Sequence, residues 1–166
     1  MIVGRGHDPA DKVGTRTVCV YFDAEGFTMT DMRLHLENLA YDASRCNAGY
    51  TVGGILYVTV GDTAFPCEEW YDIVFTDLKF WIPRIISFGS NHADTCLLPF
   101  MDGSCQIRLL RDSDGKIFVG CIRNNHTEIQ SIQIDFPSFL KSVENAHGNM
   151  IVFSTLMEAR HCSVMK

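Results

Sequence analysis

The spacing of apolar residues changes period along this chain, and that change constrains the fold more than any other feature. Near the middle, Trp70, Ile73/Val74, Leu78, Trp81 and Ile85 recur every three or four residues, the stripe of one helical face. On either side the period is two. Leu56, Val58 and Val60 alternate with Tyr57 and Thr59, and Cys105, Ile107 and Leu109 alternate with Gln106 and Arg108. A chain that switches from strand to helix and back, with short turns between the strands, predicts antiparallel strands with segregated helices.

The remaining stretches fit that plan. Thr17–Asp23, "TVCVYFD", reads as a strand closed by a turn at "DAEG". Residues 27–45 are open to two readings. Met32, Leu34 and Leu36 alternate like a strand, while Met32, Leu36, Leu39 and Ala40 fit a helix face that Thr30 or Asp31 could cap. A strand on either side favours the strand. "TCLLPFM" is a short strand, Asp102-Gly103 a tight turn and "DSDG" a hairpin turn. "KIFVGCIR" returns, "NNHT" turns, and "EIQSIQID" adds another strand. Phe136-Pro137 opens a final helix with the stripe Phe139/Leu140, Val143, Ala146/His147 and Met150/Ile151, and the tail "EARHCSVMK" is expected to fray. In the central helix Pro66 stands just before the start, the acids are expected in the first turn, and Pro83 predicts a kink or a stop. Asp72 and Asp77 are placed off the apolar stripe. The expected fold is α+β, an antiparallel β-sheet meander with two main helices packed on one face. Residues 1–16 are expected to be a loosely ordered N-terminal segment and 17–166 a single α+β domain.

The chemistry-bearing residues are scattered. The seven cysteines include no C-x-x-C, and the six histidines form neither H-x-H nor H-E-x-x-H, so neither a disulfide framework nor a zinc site is expected. Asp112-Ser113-Asp114-Gly115 fails as a calcium loop, because a third oxygen residue is missing and Cys121 stands where the closing Glu belongs. Asp102 has no obvious acid–base partner in sequence and reads as a turn former. "GRG" and "TVGG" lack the context of a phosphate loop. No cofactor is expected.

Charge says more. Residues 1–103 hold 7 Lys/Arg against 14 Asp/Glu, a net of −7, and residues 104–166 hold 7 against 6, a net of +1. Between Gly61 and Leu78 stand Asp62, Glu68, Glu69, Asp72 and Asp77 with no base among them. Such a surface repels nucleic acid and suits a basic protein partner. No apolar run approaches the roughly 20 residues that span a bilayer. With no apolar segment between a basic start and a cleavage site, the chain is expected to be cytoplasmic, without a membrane or nucleic-acid partner or a small-molecule ligand.

The segments "WYDIVFTDLKFWIPRII", "LLPFMDGSCQIRLLRD", "KIFVGCI" and "IQIDFPSFLKSVENA" resemble immunity proteins of bacterial polymorphic and contact-dependent growth inhibition toxin systems. The resemblance runs from about Gly54 to Phe153 and is carried by Trp70, Asp72, Trp81, Phe100, Asp102 and Gly103. It implies a small cytosolic protein that binds the C-terminal domain of a cognate toxin, commonly a nuclease with a basic substrate surface, and blocks its active site. Asp62, Glu68, Glu69, Asp72 and Asp77 are then the candidate partner contacts, and Trp70 and Trp81 are core residues. Two alternatives stand beside this reading. One is an adaptor or structural protein-binding domain. The other is an enzyme or ligand-binding domain whose pocket would draw together Asp102, Arg108, His35 and Cys105.

Overall fold

The computed structural model describes residues 29–42 and 51–164, the last four as backbone only. The strand expected over Thr17–Asp23 and the loosely ordered segment 1–16 lie outside the described residues.

The fold is α+β, with two antiparallel sheets and two helices packed against them. The first sheet contains β1 (Met32–Asp42), β2 (Thr51–Val60), β3 (Thr63–Phe65) and β4 (Tyr71–Asp72), with β2 in the middle. Helix α1 (Val74–Gly89) follows. The second sheet is the meander β5 (Thr95–Pro99), β6 (Cys105–Arg111), β7 (Ile117–Arg123) and β8 (His126–Gln133), in sequence order, and α2 (Phe136–Val164) closes the chain. The strands thus divide between two sheets, and the single meander expected along the chain is the second of them. One parallel bridge between Thr30 and Ile134 joins the two, with Thr30 N donating to Gln133 O at 2.9 Å. No helix among the described residues is long and apolar enough to cross a membrane.

The strand reading of residues 27–45 holds where they are described. β1 pairs with β2 from Met32↔Val60 to Asp42↔Thr51, with an irregularity between Glu37 and Ala40 where Asn38 takes a positive φ of 51°. Met32 and Leu34 are buried while Arg33 is exposed, so the period of two does place one face on the core. The hairpins use the chemistry their sequences offer. In "DSDG" the Asp112 carboxylate accepts from the N–H groups of Asp114 and Lys116 at 2.9 and 2.8 Å, and Gly115 turns the chain at φ 79°. Between β7 and β8, Asn124 and Asn125 both adopt positive φ, 49° and 64°, as a two-residue hairpin turn requires.

Three expectations about the helices need correction. Glu68 and Glu69 do not fill the first turn of α1. They precede β4, and only Asp77 lies in that turn. The start is delayed because Leu56 N donates to Trp70 O at 2.9 Å and β4 pairs with β2, a long-range contact that outcompetes local helix formation. Of the kink or stop expected at Pro83, the stop does not occur, since α1 continues to Gly89. The proline lies on the exposed side, as does Lys79 four positions earlier, so the carbonyl deprived of a donor faces water. Finally, the tail does not end the helix early, since α2 runs through Glu158 to Val164.

The core lies where sheets and helices meet. α1 packs on β2 of the first sheet and β5 of the second, and α2 packs on β1 and touches α1. Trp81, Phe65, Phe88, Phe100 and Phe139 are its largest fully buried side chains. Phe100 makes T-shaped contacts with three rings, Trp81 at 5.0 Å between centroids, Phe65 at 6.0 Å and Trp70 at 6.2 Å. Trp81 is fully buried and Trp70 half-buried against the core, as expected of both.

Candidate functional site

The five acids between Gly61 and Leu78 part into two groups. Asp62, Glu68 and Glu69 are exposed. Asp62 sits in the turn after β2, next to Gly61 at φ 57°, and Glu68 and Glu69 sit in the segment between β3 and β4. That segment is firmly held. Trp70 N donates to Cys67 O at 3.2 Å, and Arg123 of β7 donates from Nη2 to Pro66 O at 2.7 Å. The Arg123 Nε also stands 2.7 Å from Glu128 Oε1, an ion pair by distance whose line is off the hydrogen-bond direction. The two exposed glutamates are therefore presented on an ordered loop.

Asp72 and Asp77 are buried, with 7% and 2% of their surface exposed. Asp77 does not lie off the apolar stripe. It shares the inner side of α1 with Val74, Leu78 and Trp81. Neither carboxyl belongs to the exposed acidic set. Asp72 is a structural acceptor: Oδ1 takes the Ile73 N–H at 2.8 Å, and Oδ2 takes the Met101 N–H at 3.1 Å and the Trp70 indole N–H at 3.3 Å. Burial first, and then the Asp72 carboxylate within hydrogen-bonding reach, push the Asp77 carboxyl up to about 8.

Strand pairing assembles a second set of polar groups on the first sheet. Pairing of His35 with Tyr57, Glu37 with Ile55 and Arg33 with Thr59 places these residues on the face of the first sheet opposite Met32 and Leu34. His35 stacks on Tyr57 with centroids 4.5 Å apart and planes within 5°. His35 Nε2 lies 3.0 Å from Thr59 Oγ1, and the Tyr57 hydroxyl donates to Glu37 Oε1 at 3.3 Å. Burial first, then the negative charge of Glu37 and the hydrogen bond to it, with a smaller contribution from Glu68, raise the Tyr57 phenol above its ordinary range. Tyr71, paired with Ile55, continues the same face and leaves 62% of its surface exposed.

Glu37 and Tyr71 are exposed on this face beside the buried Tyr57, Glu68 and Glu69 are exposed on the loop that leads into β4, and Asp62 lies at one end of the sheet. Glu37, Tyr57 and Tyr71 were not among the sequence-derived contacts. The period of two in β1 and β2 carried the signal for the first two, but the β4–β2 pairing that brings Tyr71 to them is a long-range event.

The alternative grouping of Asp102, Arg108, His35 and Cys105 is brought together only in part. Ser104 links Asp102 to Cys105, donating from N to Asp102 Oδ1 at 2.9 Å while its hydroxyl lies 3.5 Å from the Cys105 sulfur. His35 stands on the other sheet, and Arg108 extends beside Gly120 of β7. Among the described residues no group of three or more His, Cys, Asp or Glu converges as metal ligands. Comparison with protein-family models, with curated proteins and with solved structures finds no match.

Proposed function

We propose that the chain is an immunity protein, which binds a cognate toxin domain and neutralises it by covering its active site. The observation that carries this reading is the exposed acidic and aromatic surface, in which Glu68 and Glu69 stand on a loop held at Pro66, Cys67 and Trp70 that leads into the exposed Tyr71, with the exposed Glu37 on the same sheet face as Tyr71. Preset acids complement a basic surface without an ordering cost, and an exposed tyrosine among them supplies the apolar anchor typical of protein interfaces. The order and texture of the segments from about Gly54 to Phe153, which resemble those of immunity proteins, support the same reading. The partner is then a basic domain, such as a nuclease whose substrate surface is positive, and the face acts in the cytoplasm, where such a toxin arrives.

The test is charge reversal at the loop. The double variant Glu68→Lys/Glu69→Lys keeps the fold, because both side chains are exposed. Its association with the partner domain should slow by about tenfold or more at low ionic strength, with a shallower dependence on salt. Unchanged association rates at every salt concentration would remove this face from the interface.

A further inference from the structure

Beneath the acidic loop, three parts of the fold meet at one carboxyl. Asp72 of β4 accepts the N–H of Ile73 at the start of α1, the N–H of Met101 after β5 and the indole N–H of Trp70. Asp77 of α1 lies against it, and Asp77 Oδ2 is buried with no donor in reach. An ionised carboxylate only accepts, so at this position it would be an orphan acceptor in an apolar setting. A protonated Asp77 resolves the conflict, because its O–H donates to Asp72, whose oxygens accept from the three N–H groups.

We propose that Asp72 and Asp77 share one proton and form a pH-sensitive clasp that holds β4 and the Phe100–Ser104 turn to the start of α1. Other charges around Asp77 do not offset this. Asp102, from the turn after β5, adds a further negative field. On α1 itself Lys79 is exposed, as is Arg84, whose guanidinium lies over the Phe80 ring. From β2 the titratable group is Tyr57, on the opposite face. From β5 it is Cys96, which faces Arg84. From α2, Glu144 and His147 line a groove with Ile82, Ile85 and Ile86 near the far end of α1. When Asp77 gives its proton to solvent, two like charges confront each other in the core, and the clasp loosens under Tyr71, Met101 and Asp102.

The sign follows from burial. The carboxyl of Asp77 rises from 3.8 to about 8 on folding, so the folded chain holds a proton that the unfolded chain has lost. The stabilisation is complete below about pH 4 and disappears as pH rises through about 8. Between pH 5 and 7 the unfolding constant of the wild type should rise about tenfold per pH unit relative to that of Asp77→Asn, whose amide still donates to Asp72. Carbon-13 spectra of the aspartate carboxyls provide a second measurement, needing no variant. One carboxyl should titrate near pH 8, and the Met101 amide nitrogen and proton should shift with the same midpoint. Parallel pH profiles for the two proteins would overturn the proposal. So would wild-type spectra in which no aspartate titrates above pH 6.5, or in which Met101 stays fixed while Asp77 ionises.

Discussion

Trp81, midway along α1, donates its indole N–H to the backbone carbonyl of Pro99 at 2.7 Å. This bond fastens the helix to the end of β5, at the point where the Trp81 and Phe100 rings make their T-shaped contact. The indole thus fills the space between the sheets and satisfies a carbonyl that no strand partner reaches. Trp81→Ala should cost about 3–5 kcal/mol, the usual range for emptying a buried aromatic site. Trp81→Phe should retain most of the packing and lose mainly the bond, about 1–3 kcal/mol for a buried acceptor left without a donor. Chemical denaturation of the two variants measures the difference.

Besides packing on β1, α2 is tied to the edge of the first sheet through the Ser142 hydroxyl. Leu34 N donates to Ser142 Oγ at 2.9 Å, and that hydroxyl in turn donates to Phe139 O at 2.6 Å. Ser142→Ala should destabilise the fold by about 1 kcal/mol and speed hydrogen exchange at the Leu34 amide. Exchange mass spectrometry on peptides covering β1 would show the second effect.

Gly103 isolates a backbone term. Its φ is 71°, and a Cβ placed there meets nothing within 4 Å. Gly103→Ala should therefore cost about 1 kcal/mol from the left-handed conformation alone, with no change in packing. A thermal melt of the variant with unaltered near-ultraviolet dichroism would display that signature.

The four thiols of the described side chains should react in two classes. Cys67 is exposed, whereas Cys96, Cys105 and Cys121 are buried. Burial pushes Cys96 up to about 11 and Cys121 up to about 12, and it raises Cys105 as well. Alkylation of the native protein at pH 8 should label Cys67 quickly and these three only on unfolding. Because the folded thiols hold their protons above the ordinary value of 9.0, stability should also fall as pH rises from about 9 toward 12. Peptide mapping after timed alkylation and denaturation at pH 8 and 10 checks both outcomes.

Gly53 leaves room for the ring of Tyr71. A Cβ at Gly53 would overlap the Tyr71 hydroxyl, so Gly53→Ala should swing that ring away from the sheet. The expected result is a small change in stability and a weaker complex with the partner, by about tenfold if Tyr71 is an anchor of the interface. Affinity measured alongside Tyr71→Ala should show that the two losses do not add.

Much of the fold was legible in sequence because its causes are local. The alternation in Cys105–Arg111, the "DSDG" turn and the stripe on α1 each rest on neighbours within a few residues. The start of α1 was not legible, since Trp70 and Tyr71 are drawn to β2 by pairing with Leu56 and Ile55. Nor was the fate of Asp77. A carboxyl is assigned to the solvent side by its polarity, whereas α1 turns Asp77 inward among Val74, Leu78 and Trp81. The candidate face was half visible. Glu68 and Glu69 stand out by charge, while the β4–β2 pairing that puts Tyr71 on the same sheet face as Glu37 and Tyr57 is not visible in sequence.

The most direct test of the central claim joins capture to toxicity. The tagged protein is recovered from the cells that encode it, the bound chain is identified by mass, and that chain is expressed alone and together with this protein. The account predicts a basic domain that stops growth when expressed alone, is harmless alongside the wild-type protein, and regains toxicity when Glu68→Lys/Glu69→Lys replaces it. A captured partner that harms nothing when expressed alone would contradict the immunity reading and favour an adaptor.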